Sequence, residues 1–320
     1  MARVMNPLEG AGRGAKHQFE FDVATASGPV ALPVLWVRGA RPGPTLVCTA
    51  GVHGDEYEGI QTLFDVFSSL QSESMSGDFL AVPVANPPAF WEGTRTSPLD
   101  GENLARAFPG SPEGSPTEVV AWHLDQFFFS RADFYLDLHS GGVRYLMPSL
   151  VGYDASDERS RRAAEAFGSA VLWGHPNTPL GRTVSAAKTR GIPFLYTEAR
   201  GAGRIHPADL RLYRRGVFNL LRHLSILPGE PEETACQYHL FGDGNIDESV
   251  LASDRGFLIP RVELLQQVQR GGELGILTDL LGRTIERYTA PRDGVVVLIH
   301  ACPLVTPRES VFLVTGLLQD

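Results

Sequence analysis

The spacing of apolar and polar residues divides the chain into alternating strands and helices. Polar and apolar residues alternate over residues 17–23 and part of residues 30–37, with a Gly-Pro turn between them, which predicts a β-hairpin. Short apolar runs typical of buried strands follow at residues 46–50, 79–84, 134–138 and 193–197. Apolar residues recur at helical spacing after Glu58 and over residues 119–128, 156–168 and 210–224. This order predicts an α/β fold whose mixed sheet is mostly parallel, with helices on both faces.

The composition of the chain and the spacing of its apolar residues change near residue 227. Residues 227–233 (LPGEPEE) form a proline, glycine and acidic break that is typical of a linker. Beyond it, short apolar runs alternate with glycine turns and no long helix is evident, which predicts a small all-β domain. We therefore expect two domains, over residues 1–228 and residues 235–320.

Three of the predicted strands end in residues that bind metals or move protons. These segments are residues 51–56 (GVHGDE), 135–140 (YLDLHS) and 194–198 (FLYTE). Because ligands of open α/β sheets bind at the carboxyl ends of the strands, we expect the three segments to meet there. His53, Glu56 and His139 match the two-histidine, one-glutamate set of hydrolytic zinc sites, which leaves a fourth position for water.

Each of these residues also has an ordinary structural interpretation. His53 and Glu56 form an H-x-x-E pair, which occurs often by chance, and His139 is a histidine that ends a strand. Two glycines follow His139 and Ser140, and they let the backbone turn closely around a bound group. The conjunction of all three segments favours the metal site over the separate structural roles.

Two carboxylates have both a functional and a structural interpretation. Glu198 ends a largely apolar strand, where an unpaired carboxylate is costly. It is either a general base that takes a proton from water and hands it to a leaving amine, or the partner of Arg200 or Arg204 in an ion pair. Asp137 precedes His139 by two residues and either orients that ligand or is a buried structural acid.

The turn-rich segment of residues 86–110 is too long for an idle connector, so we expect a functional loop. It carries Arg95 and Arg106. A guanidinium is suited to stabilising a developing oxyanion or to gripping a carboxylate. The alternative for either arginine is a solvated loop residue.

Composition narrows the class of protein. The formal net charge of -9 argues against a nucleic-acid partner and against an anionic membrane surface. No apolar run is long enough for a membrane span, and residues 1–14 lack the apolar centre of a signal peptide. The three cysteines have neither metal-site nor disulfide spacing, so we expect a cytoplasmic location. Apolar edges in the β domain allow a homo-oligomer.

These segments resemble the succinylglutamate desuccinylase/aspartoacylase family of zinc carboxypeptidase-like amidohydrolases, and most closely its N-acyl diamino acid deacetylase-like branch. The resemblance rests on residues 51–56, 86–95, 100–110, 137–142 and 197–198. It implies a zinc carboxypeptidase-like catalytic domain that holds one zinc ion per chain. It also implies a barrel-sandwich fold for the second domain, where the absence of lysine after Lys188 excludes a lysine-linked lipoyl or biotin group.

The resemblance also implies roles for individual residues. His53, Glu56 and His139 would hold the zinc, and Glu198 would be the general base and acid. Arg95 would stabilise the oxyanion and Arg106 would anchor the substrate's carboxylate. The family usually has an asparagine directly before the latter arginine, where this chain has Ala105. Asn103 is a candidate to replace it in substrate binding, unless another group does so or the substrate lacks this grip.

The sequence therefore predicts a zinc-dependent deacylase that cleaves the amide bond of a small N-acyl amino acid or diamine derivative. Two alternatives stay open at this stage. One is a metallocarboxypeptidase that acts on peptides, and the other is a non-catalytic protein that binds zinc or a ligand at the same residues.

Overall fold

A large mixed β-sheet crosses the molecule. The structure is a computed structural model that describes residues 12–244, 246 and 249–318. Residues 1–11, which belong to the stretch without a signal-peptide pattern, lie outside the described residues. The strands of the first part are β1 (Ala15–Thr25), β2 (Gly28–Arg38), β3 (Arg41–Ala50), β4 (Ser76–Val82), β5 (Phe134–Leu138), β6 (Tyr145–Leu146), β7 (Leu150–Asp154), β8 (Val171–His175) and β9 (Phe194–Glu198).

Helices cover this sheet on both faces, as predicted. They are α1 (Glu58–Ser69), α2 (Pro87–Glu92), α3 (Pro116–His123), α4 (Glu158–Phe167), α5 (Thr183–Thr189) and α6 (Pro207–His223). One core lies under α1, α4 and α6, and a second core lies under α3 and α5. In β3, Leu46 belongs to the first core and Val47 to the second, because successive strand residues face opposite sides. A strand buried on both faces explains the unbroken apolar run seen in the sequence.

The strand order in this part of the sheet is β1-β2-β4-β3-β5-β9-β7-β8. The pairs β3 with β4, β3 with β5, and β5 with β9 are parallel, whereas β1 with β2 is the predicted antiparallel hairpin. The sequence did not predict β7, which lies antiparallel to β9, nor α5. It also extended α3 too far. The α-helix starts with a capping box formed by Ser115 and Glu118 but ends at His123, and residues 124–128 form a π-helical turn.

Among its described residues the C-terminal part contains strands and no α-helix, in agreement with the prediction that it lacks a long helix. Its strands are β10 (Tyr238–Phe241), β11 (Val250–Leu251), β12 (Gly256–Pro260), β13 (Gln267–Val268), β14 (Glu273–Thr278), β15 (Thr284–Thr289), β16 (Gly294–His300), β17 (Leu304–Val305) and β18 (Ser310–Leu317). Four of them form a separate antiparallel sheet in the order β15-β14-β12-β17.

The central sheet also extends into the C-terminal part. There β10 lies parallel to β8, and β18 lies antiparallel to β10. The predicted domain boundary between residues 228 and 235 falls just before β10 and stays a prediction. Among the described residues, no helix has both the length and the apolar character that crossing a bilayer requires.

Candidate active site

Three adjacent parallel strands bring the predicted site residues to one edge of the sheet. Ala50 at the end of β3 pairs with Leu138 at the end of β5, and Leu138 pairs with Thr197 of β9. The segments that follow these positions therefore start side by side. The strand register therefore brings the three segments together at the carboxyl edge of the sheet, as the sequence predicts.

The turn after β3 has a conformation that depends on glycine. Gly51 has a φ of +58°, in the left-handed region that favours glycine. A Cβ on Gly54 would lie 2.0 Å from the carbonyl carbon of Ala89, so only glycine fits against the start of α2. The Gly54 N–H also donates to the carbonyl of Thr94 at 2.9 Å. This turn buries His53 and Glu56, and it holds the loop of Arg95 beside them.

His53, Glu56 and His139 converge on a common point. One possible ligand atom from each residue lies within 4.8 Å of the others, and all three side chains are buried. Nδ1 of His53 lies 2.7 Å from Oε1 of Glu56, and Nδ1 of His139 lies 2.8 Å from Oε2. Two imidazole nitrogens thus face the two oxygens of one carboxylate. This donor set fits a zinc ion, which prefers histidine nitrogen and carboxylate oxygen.

The opposite nitrogen of each ring has its own partner. Nε2 of His139 donates to Oδ2 of Asp137 at 2.9 Å. Asp137 is fully buried, and its carboxylate also accepts hydrogen bonds from the hydroxyls of Thr49 and Thr183. Nε2 of His53 lies 3.2 Å from Oδ1 of Asn103. Such partners fix the ring orientation and tautomer of metal-binding histidines, so they leave both Nδ1 atoms for a metal.

The electrostatics of this cluster suit a cation. Burial, together with the positive charge of Arg95, lowers the pKa of His53 to about 4, so its ring is neutral. For His139, burial opposes the charged form, but the carboxylates of Asp137 and Glu56 outweigh it and raise the pKa well above the usual value. A negative potential strong enough to hold a proton on a buried imidazole is also one that favours a metal ion.

Glu198 is the last residue of β9 and faces the same side as Phe194 and Tyr196. Its Oε2 is buried and has no hydrogen-bond partner among the described residues. Burial and the charge of Glu56 raise the pKa of its carboxyl to about 8. The alternative ion pair with Arg200 or Arg204 is not formed in the described part of the chain. A carboxyl that prefers the proton, beside the cluster, has the properties of a general base and acid.

The loop residues lie around the same centre. Nη1 of Arg95 donates to Oε1 of Glu56 at 3.0 Å, and Nη1 of Arg106 donates to the carbonyl of Ala105 at 3.1 Å. Oδ1 of Asn103 accepts the N–H of Ala105 at 2.9 Å, which caps a 3-10 turn, in addition to its contact with His53. The side chain of Asn103 is therefore directed at a histidine of the cluster, and its predicted role in substrate binding stays a prediction.

A cavity of about 120 Å³ opens beside the cluster. His53, Arg95, Arg106, His139 and Glu198 all line it. Residues of the C-terminal part close one side, and these are Asp243, Gly244, Ile246, Leu298 and Leu313. Residue spacing did not indicate this contribution, nor the aromatic wall formed by Trp173, His175 and Tyr196. Alternation along β8 and β9, had it been followed to the strand ends, could have indicated the aromatic residues.

Fold and site together define an α/β protein with a buried carboxylate and histidine centre at the carboxyl edge of its sheet. The chain belongs to the succinylglutamate desuccinylase/aspartoacylase family, because the model of that family's catalytic domain matches residues 42–224. The chain is 36% identical over 308 residues to an N-alpha-acetyl-L-2,4-diaminobutyric acid deacetylase of Halomonas elongata. That alignment covers 92% of this chain and 89% of the relative.

Solved structures have the same fold. A succinylglutamate desuccinylase/aspartoacylase from Rhodobacter sphaeroides superposes with a TM-score of 0.86 at 29% identity, covering 96% of this chain and 97% of that one. The product-bound ectoine utilization protein EutE (DoeB) from Ruegeria pomeroyi gives a TM-score of 0.86 at 28% identity, with 96% of each chain covered. The similarity therefore extends over the C-terminal strands as well as the catalytic region.

Proposed function

We propose that the protein is a zinc-dependent amidohydrolase that removes the acyl group from a small N-acyl amino acid or diamine derivative. The observation that carries this proposal is the convergence of His53, Glu56 and His139 next to the unpaired carboxyl oxygen of Glu198. The activity of the 36% identical relative, a deacetylase of an N-acetylated diamino acid, supports the reaction class.

One zinc ion per chain would be held by His53, Glu56 and His139. When bound, zinc would supply a positive charge that makes water more acidic and polarises a carbonyl group. The residues around the ligands support this assignment, because Asp137 and Asn103 hold the far nitrogens of the two rings. In this assignment, the side chain of Asn103 orients the ring of His53.

Glu198 moves the proton in the proposed reaction. Its carboxylate accepts a proton from the attacking water as the new carbon–oxygen bond forms. It then delivers that proton to the leaving nitrogen as the carbon–nitrogen bond breaks, so that a carboxylate and an amine are released. Without a metal, the pKa of Glu198 is raised to about 8, and the charge of a bound zinc ion would lower it toward the range in which the group can both accept and return a proton.

The two loop arginines bind the oxygen atoms of the substrate. Arg95 lies at the metal end, where its guanidinium stabilises the negative charge that develops on the carbonyl oxygen. Arg106 lines the same cavity and binds a carboxylate of the substrate. Because this chain has Ala105 where the family has an asparagine, binding of the substrate's carboxylate depends on Arg106 and not on a neighbouring amide.

The closure of the cavity on one side favours a small substrate. Residues of the C-terminal part close one side of the cavity, which favours a small N-acyl amino acid over the end of a polypeptide. We further propose that the protein works in the cytoplasm, since its three cysteines are free. Self-association through the exposed edges of the C-terminal sheet is part of the same proposal.

The test is release of free amine from a substrate panel by protein that has been stripped of metal and reloaded with zinc. The panel contains N-acetyl, N-succinyl and N-formyl amino acids and diamines, together with short peptides. We expect release from small N-acyl compounds, loss of release after chelation, and recovery on adding zinc. Cleavage confined to peptides would indicate a carboxypeptidase, and tight binding without any product would indicate a non-catalytic protein.

A further inference from the structure

The cavity contains an acidic residue that the proposed reaction does not use. Asp243 follows β10 and lines the same cavity as Glu198. Its side chain forms no hydrogen bond or ion pair with any other residue that the structure describes. The residue is half-buried, so its carboxylate keeps part of its contact with solvent and can exchange that contact for a ligand. Arg182 lines the same cavity and, like Asp243, acts electrostatically on His175, but no ion pair joins it to Asp243 in the described part of the chain, so the Asp243 carboxylate can take a cationic group.

The backbone around Asp243 is held in place on both sides. Before it, the Gly242 N–H donates to the carbonyl of Gly174 at 3.2 Å, and the Gly242 carbonyl accepts from Nδ1 of His175 at 2.6 Å. After it, Gly244 has a φ of +60°, and a Cβ there would lie 2.4 Å from Cε1 of His175. The loop thus fits closely against the imidazole, which gives the acid a defined position in the cavity wall.

His175 does not neutralise this carboxylate. Burial lowers the pKa of His175 to about 4, so the ring is uncharged at neutral pH. Because Nδ1 donates to Gly242, Nε2 accepts a hydrogen bond from the hydroxyl of Tyr196 at 2.7 Å. Tyr196 lies two residues before Glu198 on the same face of β9, a separation of about 7 Å along a strand. Asp243 and Glu198 line one cavity, with Tyr196 on the wall that leads from one acid to the other.

The wall beside Asp243 is aromatic. The ring centroids of Trp173 and His175 are 5.0 Å apart, and those of His175 and Tyr196 are 5.4 Å apart. Trp173 is 1% exposed, and its indole N–H has no hydrogen-bond partner among the described residues. That N–H is a donor, so it would be satisfied by an acceptor atom of a ligand, such as a carboxylate or carbonyl oxygen, and not by its ammonium group. An acid beside aromatic faces is the environment that favours an ammonium group.

We propose that Asp243 is a specificity-determining residue that binds the free ammonium group of an N-acyl diamino acid, with the aromatic wall around it. This inference rests on the proposed deacylase function and names its substrate class. The relative at 36% identity acts on such a compound, whose second amino group carries a positive charge. The acyl group would lie at Glu198 and the ammonium group at Asp243.

A matched pair of substrates tests the proposed role of Asp243. N-α-acetyl-2,4-diaminobutyrate carries the ammonium group, and N-α-acetylnorvaline has a methyl group in its place. We expect the zinc-loaded wild type to prefer the cationic substrate by roughly 30-fold or more in kcat/KM. Asp243→Asn should remove most of this preference by raising KM for the cationic substrate, with norvaline hydrolysis changed less than about 3-fold. Asp22→Asn, on the exposed face of β1, is the control and should leave the ratio unchanged.

The outcomes separate the two proposals. No hydrolysis of either compound or of the wider panel by zinc-loaded wild type would overturn the deacylase function itself. Hydrolysis without a preference for the cationic substrate, or equal losses for both substrates in Asp243→Asn, would overturn the role of Asp243 alone. If Asp243→Asn does not fold, the wild-type ratio and Asp243→Glu decide, because the glutamate keeps the charge and should keep the preference.

Discussion

Nε2 of His139 lies 2.9 Å from Oδ2 of Asp137, and this contact turns the other ring nitrogen toward Glu56. Asp137 is itself held by the hydroxyls of Thr49 and Thr183, so the carboxylate cannot rotate freely. The geometry of the cluster of His53, Glu56 and His139 therefore depends on Asp137, two positions before His139. Asp137 acts through His139 and is a positioning residue.

Replacing Asp137 with asparagine should weaken zinc binding by about 10- to 100-fold, because an amide holds the imidazole less firmly and makes it a weaker ligand. Competition with a chelator of known affinity measures this change. Asp78→Asn is a suitable control, since Asp78 is also buried but pairs with Arg13 and Arg38 away from the site. The control should lower stability without changing zinc affinity. Equal zinc affinity in Asp137→Asn and wild type would show that Asp137 is only structural.

Replacing Asn103 tests whether its side chain orients His53 or binds the substrate. Its Oδ1 lies 3.2 Å from His53, so we expect Asn103→Ala to lower zinc affinity while KM for an N-acyl substrate, measured at saturating zinc, changes little. The replacement also removes the cap on the turn of residues 104–106, at a cost of about 1 kcal/mol in stability. A rise in KM with unchanged zinc affinity would instead assign Asn103 to substrate binding, in the place of the family's asparagine.

His175 should make the stability of the protein depend on pH. Burial lowers the pKa of His175 to about 4, whereas an unfolded histidine titrates near ~6.5. Between these values the unfolded chain binds a proton that the folded chain does not, so stability falls as the pH drops from about 6.5 to about 4. Between pH 7 and pH 5 this group alone should remove about 2 kcal/mol from the free energy of unfolding.

The comparison with His175→Gln isolates this effect, because the amide cannot titrate. Urea unfolding of both proteins at pH 7 and pH 5 should show a smaller loss of stability in the variant. Other buried groups contribute equally to both proteins and cancel in the difference. The same loss in both proteins would mean that His175 is not held neutral by burial.

Much of the fold follows from local signals in the sequence. The buried run that ends at Ala50 and the capping box at Ser115 each reflect a short-range cause, namely strand alternation or a helix-start hydrogen bond. The cluster of His53, Glu56 and His139 was also predictable, because parallel strands place their carboxyl ends together. The short strand β7 was missed, since its few residues include a glycine and an aspartate, which are rare in strands.

The rest of the site arises from contacts between distant segments. Asn103 meets His53 across 50 residues, and Gly242 meets His175 across 67 residues. Such contacts leave no periodic pattern, because they depend on how loops pack after the sheet has formed. The place of Asp243 in the cavity wall follows from the pairing of β10 with β8, which residue spacing does not reveal.

The most direct test of the proposed mechanism replaces Glu198 with glutamine in zinc-loaded protein. The amide keeps the size of the side chain but cannot accept and return a proton. Release of free amine from N-α-acetyl-2,4-diaminobutyrate should fall by about 10²- to 10⁴-fold, while the zinc content stays at one ion per chain. Turnover close to the wild-type rate, with zinc in place, would contradict the assignment of Glu198 and the mechanism built on it.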